Sequence, residues 1–137
     1  MIQGSCFCGA IQYQVDGEAT HQTNCHCSIC RRTTGAPFVS WATFSRFRFQ
    51  FTKGNPTAFP SSGVGTRYFC PICGCQLAFL YNSEPLVDIS LGSLEDPTRV
   101  VPRDNTQTSS RLPWVKLADG LPDFPEGRPD DLPGRSP

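Results

Sequence analysis

Seven of the eight cysteines crowd into three short clusters, Cys6-Phe7-Cys8, Cys25-His26-Cys27-Ser28-Ile29-Cys30 and Cys70-Pro71-Ile72-Cys73, with Cys75 just beyond. No other feature constrains the fold as tightly. Thiolates one or two residues apart in a turn can converge on one soft cation. Zinc takes four such ligands in a tetrahedron when it is structural, and three with an open position when it is catalytic. A disulfide between residues two apart closes a tiny, strained loop and gains little. The cysteines therefore read as metal ligands. A disulfide framework in a secreted domain is the competing reading, since the count is even.

At 137 residues the chain is one domain, long enough for a modest core and short enough to gain from a metal staple. Twelve Lys and Arg balance twelve Asp and Glu. That balance excludes a nucleic-acid grip or an anionic membrane surface as partner, because both demand a basic face. The start, Met1-Ile2-Gln3-Gly4-Ser5-Cys6, lacks the charged and apolar regions of a signal peptide. No apolar run reaches spanning length. The expectation is a soluble, cytoplasmic protein, a compartment in which paired cysteines bind metal more often than they oxidise.

Short runs rich in β-branched and aromatic residues lie between frequent Pro and Gly. Residues 10–15, 38–44, 47–51 and 87–91 read as strands, and all but the second alternate apolar and polar positions. In Phe47-Arg48-Phe49-Gln50-Phe51 the three rings share one face of the expected strand, to be packed in the core. Residues 70–80 read as a cysteine turn leading into a strand, with Gly74 free to take the positive φ of a metal knuckle. Helical signal is confined to residues 28–34, stopped by Gly35-Ala36-Pro37, and to a turn at 93–96. The domain is expected over 1–126, with a loose, Pro-, Asp- and Gly-rich tail over 127–137.

The cysteines divide unequally. Cys6 and Cys8 form one bidentate arm, Cys70 and Cys73 another, and together they complete a closed four-thiolate site whose metal affinity becomes folding free energy. Cys25, Cys27 and Cys30 can hold a second metal from one side. Residues two apart in a strand share a face, so Cys25 and Cys27 are expected side by side at a strand end, with Cys30 brought round by the turn. Three thiolates with a vacancy suit a catalytic metal that binds water, a substrate oxygen or an incoming thiolate. The alternative is a second structural site closed by Cys75.

These residues resemble a known family. Ser5-Cys6-Phe7-Cys8-Gly9-Ala10-Ile11-Gln12-Tyr13, Cys25-His26-Cys27-Ser28-Ile29-Cys30-Arg31-Arg32 and Phe69-Cys70-Pro71-Ile72-Cys73-Gly74 are similar to the glutathione-dependent formaldehyde-activating enzymes, a family that includes centromere protein V. Gly35-Ala36-Pro37-Phe38, Val87-Asp88-Ile89-Ser90 with Gly92-Ser93-Leu94, and Leu112-Pro113-Trp114 extend the match, which covers roughly residues 3–125. The resemblance implies a mainly β, Mss4-like fold of small coiled antiparallel sheets with little helix, stapled by zinc. It implies two zinc ions, one structural on Cys6, Cys8, Cys70 and Cys73 and one catalytic on Cys25, Cys27 and Cys30. The attributed chemistry is at a carbon–sulfur bond: joining glutathione to formaldehyde, or cleaving such an S-hydroxymethyl adduct. Many relatives carry a small residue in place of Cys75. Relatives also often show a His before an aromatic stretch where this chain reads Pro102-Arg103-Asp104-Asn105-Thr106-Gln107.

A peptide thiol such as glutathione would bring two carboxylates. Arg31 and Arg32, directly after Cys30, are placed to receive one, since a guanidinium fork matches a carboxylate; both residues also fit an ordinary solvated face. Arg67 and Arg111 rank behind them. His26 is either a proton shuttle or a side chain turned away from the metal. Trp41 and Trp114 read as packing residues. Three function classes follow. The first is a zinc-dependent carbon–sulfur lyase acting on a small thiol adduct or aldehyde, monomeric or homo-oligomeric. The second is a non-catalytic zinc module that binds another protein, and the third a thiol redox enzyme of the methionine sulfoxide reductase type. The redox class needs a free, low-pKa cysteine.

Overall fold

The computed structural model describes residues 1–130. The chain runs through strands β1 (Ile2–Ser5), β2 (Gln12–Val15) and β3 (His21–Cys25), then the helix α1 (Ser28–Thr34). Strands β4 (Val39–Ser45), β5 (Phe49–Lys53), β6 (Thr57–Phe59) and β7 (Gly65–Phe69) follow. Then come β8 (Gln76–Tyr81), β9 (Leu86–Ser90) and β10 (Asp104–Thr106). The fold is mainly β, as the resemblance implied. One sheet has the order β1-β2-β5 and the other β10-β3-β4-β9-β8-β7-β6. Among the described strands, the pairings are antiparallel except β10 on β3, which is parallel.

The two faces of the large sheet serve different ends. Ala42, Phe44, Ala78, Val87 and Ile89 point to one side, where they meet Tyr13, Val15 and Phe49 of the small sheet in the main core. Cys25, Trp41 and Phe79 point to the other side and pack with Cys27 and Cys30 of the helical turn. Period-two alternation thus sorts one strand set into a core face and a site face. Gly4 is tightly covered: a Cβ there would run into the ring of its cross-strand partner Tyr13 and the Ser93 carbonyl. The Tyr13 hydroxyl hydrogen-bonds the Ser93 hydroxyl at 2.7 Å, tying the small sheet to the turn after β9.

The helix forms where the sequence predicts it. The Cys27 side chain caps its start by accepting from the Cys30 N–H at 3.2 Å, and Gly35, at φ 73°, ends it in the left-handed region. The strand expected at 47–51 lies two residues later, at Phe49–Lys53. Residues Arg46–Arg48 form a 3-10 turn, so Phe47 leaves the shared face and is 86% exposed while Phe49 is buried. The turn expected at 93–96 is a 3-10 turn at Leu91–Ser93. Strands β1, β3, β6, β7 and β10 fall where the sequence suggests none, apart from a strand end at Cys25. β3 (HQTNC) and β10 (DNT) are nearly all polar; the ladder to β4 makes β3 a strand, and pairing with β3 makes β10 one.

Of the expected loose tail, residues 131–137 lie outside the described residues. Within its first part, the Arg128 guanidinium pairs with the Asp104 carboxylate on β10, with Nη2–Oδ1 at 3.1 Å. Both side chains are largely shielded.

Candidate functional site

Two groups of thiols converge. Cys6, Cys8, Cys70 and Cys73 bring four Sγ atoms within 4.8 Å of one another, and Cys25, Cys27 and Cys30 bring three. The division is the one reached from spacing. Cys75 belongs to neither group; its Sγ lies 3.8 Å from the Gln76 carbonyl. No disulfide links any of the eight.

The four-thiol group is built from two similar turns, each closed by a glycine one residue after its second cysteine. In the first arm the Cys6 N–H donates to the Ile11 carbonyl and the Gly9 N–H to the Cys6 carbonyl, both at 3.0 Å. In the second, the Cys70 N–H donates to the Cys75 carbonyl and the Gly74 N–H to the Cys70 carbonyl, both at 2.9 Å. Gly9 and Gly74 sit at φ 75° and 77°, positions where a Cβ would be strained. Backbone amides also aim at sulfur: Ile11 N–H at Cys6 Sγ over 3.3 Å, and Ile72 N–H at Cys70 Sγ over 3.4 Å. Hydrogen bonds of this kind favour the thiolate. At Cys73, amides of Cys75 and Cys8 bring the thiol down to about 6. Cys6 and Cys8 are 3.6 Å apart, and Cys8 and Cys70 3.7 Å. Four sulfurs at about 2.3 Å from a tetrahedral zinc stand about 3.8 Å apart, so the donor set fits that ion.

The three-thiol group is assembled at the junction of β3 and α1. Cys25 closes the strand, but Cys27 has left it to cap the helix, and Cys30 lies in the first helical turn. The side-by-side strand arrangement expected for Cys25 and Cys27 is therefore replaced by a strand–cap–helix arrangement. All three are buried. Their thiols interact strongly: hydrogen bonds from Cys25 and Cys30 push Cys27 down to about 3, while the Cys27 and Cys30 thiols drive Cys25 well above its ordinary value. Without a cation the three share charge that they cannot all carry. Three buried sulfurs with such mutual repulsion are a fitting donor set for a thiophilic divalent ion.

Cys25 and Cys30 line a cavity of about 50 Å³ on the site face of the large sheet. Strand register explains the rest of its wall. Arg67 pairs with Phe79, Phe79 with Asp88, Asp88 with Thr43 and Thr43 with His21, forming one row across five strands. All five side chains line the cavity. Asp88 accepts from the Thr43 hydroxyl at 2.6 Å and the Tyr81 hydroxyl at 2.8 Å. Trp41 Nε1 and Arg67 Nη2 both donate to Cys30 Sγ, at 3.4 and 3.3 Å.

Arg31 and Arg32 follow Cys30 on the helix but do not line this cavity. Arg31 Nη1 donates to the Ser110 carbonyl at 3.2 Å. His26 turns away from the thiols: its ring packs on Phe38 at 5.0 Å between centroids, and neither nitrogen has a hydrogen-bond partner. Burial and the Arg111 guanidinium hold it below its ordinary value. Arg111 forms a two-pronged pair with Asp123, at 3.0 and 2.7 Å. Trp114 is exposed, so it is not the packing residue the sequence suggested; Trp41 walls the cavity. Asp88, Tyr81 and Thr43 were missed by sequence reasoning, and Arg67 was ranked too low. The available signal was the alternation of 87–91, which puts Asp88 opposite the core-facing Val87 and Ile89.

Residues 1–110 match the glutathione-dependent formaldehyde-activating enzyme family, and the chain belongs to that family. Among curated proteins it is 30% identical over 81 residues to an uncharacterized lyase of Schizosaccharomyces pombe, covering 59% of this chain and 58% of that protein. It is 44% identical over 36 residues to a putative glutathione-dependent formaldehyde-activating enzyme of Halomonas elongata, covering 26% of this chain and 23% of that one. The matches thus span under two thirds of either relative. A crystal structure of a Rhodobacter sphaeroides protein shares the fold, with a TM-score of 0.61 and 23% identity over 89% of this chain and 99% of that one.

Proposed function

We propose that the chain is a zinc-dependent carbon–sulfur lyase that forms or cleaves S-hydroxymethyl adducts of a small thiol, glutathione being the leading candidate. The observation that carries this reading is the unequal division of the thiols: four in one group, and three in another whose Cys25 and Cys30 line a cavity. In this reading Cys6, Cys8, Cys70 and Cys73 hold a structural zinc, and Cys25, Cys27 and Cys30 hold a catalytic one. Bound there, zinc would supply Lewis acidity to stabilise negative charge on sulfur or oxygen.

The chain's own residues supply the setting. In cleavage the hydroxyl proton passes by way of solvent to the departing sulfur, the C–O bond gains its second pair, and the C–S pair goes onto sulfur, giving a thiol and an aldehyde. A cavity of about 50 Å³ suits the one-carbon end of such an adduct, and the bulk of the thiol would stay outside. Trp41 and Phe79 shield the reacting end from water, which strengthens every charge interaction within. Arg31 and Arg32 are proposed to receive a carboxylate of the thiol's outer part, beyond the cavity. The reading places the chain in the cytoplasm, where thiols stay reduced.

Exchange spectroscopy of ¹³C-formaldehyde with glutathione tests this directly. Zinc-loaded protein should accelerate interconversion of free and S-hydroxymethyl carbon, and Cys27→Ser should not. Rates equal to the protein-free mixture would refute the enzymatic reading.

A further inference from the structure

Arg67, mid-strand on β7, is 2% exposed, a burial that an arginine rarely reaches without a carboxylate partner. None of the ion pairs among the described residues includes it. Its Nη1 donates to the Ser61 hydroxyl, its Nη2 to Cys30 Sγ at 3.3 Å, and its Nε has no partner. The guanidinium lies over the Phe79 ring, 4.8 Å from the centroid. Among the described residues, the anionic group it touches is thus the thiol cluster, through Cys30. A ring platform, a hydroxyl and a sulfur together place this cation, and the fixed register Arg67↔Phe79 aims it.

Charge counting gives the site its consequence. Three thiolates and a divalent ion leave one negative charge, and Arg67 cancels it. An incoming thiolate then yields a net charge of minus one, where without Arg67 it would yield minus two. In a shielded site that difference weighs far more than in water. We propose that Arg67 is the charge-compensating residue of the three-thiol centre and biases it toward an anionic thiolate ligand over a neutral one. This rests on the reading of Cys25, Cys27 and Cys30 as a metal centre, and it makes Arg67 a specificity-determining residue for thiol substrates.

The test uses the full chain loaded with cobalt(II), titrated in parallel with 2-mercaptoethanol and with imidazole while the visible bands are followed. Arg67→Met should weaken thiol binding by about 10-fold or more, the order by which losing a ligand's partner changes metal affinity or activity, and imidazole binding much less. Arg67→Lys, which keeps the charge, should recover most of the thiol preference. Equal losses for both ligands, or no loss, would overturn the proposal, as would a Lys variant that behaves like Met. If Arg67→Met does not fold, Arg67→Gln against Arg67→Lys in the same titration decides. A wild-type chain that takes up one cobalt and not two would overturn the three-thiol centre itself. Two cobalts with an unchanged ligand preference in Arg67→Met would overturn only the role of Arg67.

Discussion

The Sγ atoms of Cys8 and Cys70, residues separated by 62 positions in sequence, lie 3.7 Å apart. That contact pins the turn after β1 to the turn before β8. A structural zinc contributes about 10–16 kcal/mol in small domains, as much as the about 5–15 kcal/mol that separates a folded domain from its unfolded chain. Cys70→Ser is therefore expected to abolish cooperative unfolding or to lower Tm by more than about 10 °C. Circular dichroism during heating checks it, and a wild-type melting curve would refute the closed four-thiolate site.

Cys75 has a different expectation. Its Sγ joins neither thiol group, and the backbone carbonyl that completes the Cys70 turn survives substitution. Cys75→Ser should retain two metal equivalents and wild-type thermal stability within about 1 kcal/mol. Loss of one equivalent would make it the fourth ligand of the second centre.

Trp41 is a built-in reporter. It is buried with its indole N–H on Cys30 Sγ, whereas Trp114 is exposed. Stripping the three-thiol centre with a chelator should change the fluorescence of wild type and of Trp114→Phe alike. In Trp41→Phe the change should vanish. A signal that follows Trp114 would contradict the geometry.

The segment after Glu126 is expected to matter for stability. Truncation there removes Arg128 and leaves the largely shielded Asp104 carboxylate without its guanidinium. Breaking such a pair from one side costs about 3 kcal/mol. Chemical denaturation of the 1–126 chain should show that loss, and an unchanged midpoint would mean that the tail is dispensable.

What was legible in the sequence was local. Ligand spacing fixes which thiols can share an ion, so both groups were readable from positions 6–8, 25–30 and 70–73. The helix at 28–34 announced its own end through Gly35. Arg67 could not be read in the same way. The motif nearest to it, Cys70 to Cys73, belongs to the other thiol group, and its proposed role depends on β7, β8, β9, β4 and β3 aligning Arg67, Phe79, Asp88, Thr43 and His21 in one row. Register is a long-range property that composition does not carry. Phe47 shows the opposite error. Its alternation with Phe49 and Phe51 is real, but a single 3-10 turn breaks the period and sends its ring to solvent. The strands β3 and β10 escaped notice because tertiary pairing overrides weak local preference in polar segments.

The central claim is that Cys25, Cys27 and Cys30 form a metal centre separable from the one that holds the fold together. Ser is itself a good helix cap, so Cys27→Ser preserves the start of α1 and removes a metal ligand alone. Elemental analysis of wild type and Cys27→Ser, each paired with a melting curve, measures the claim most directly. The expected result is two zinc equivalents in wild type and one in Cys27→Ser, with cooperative unfolding kept in both. One equivalent in wild type, or a Cys27→Ser chain that unfolds as Cys70→Ser does, would contradict it.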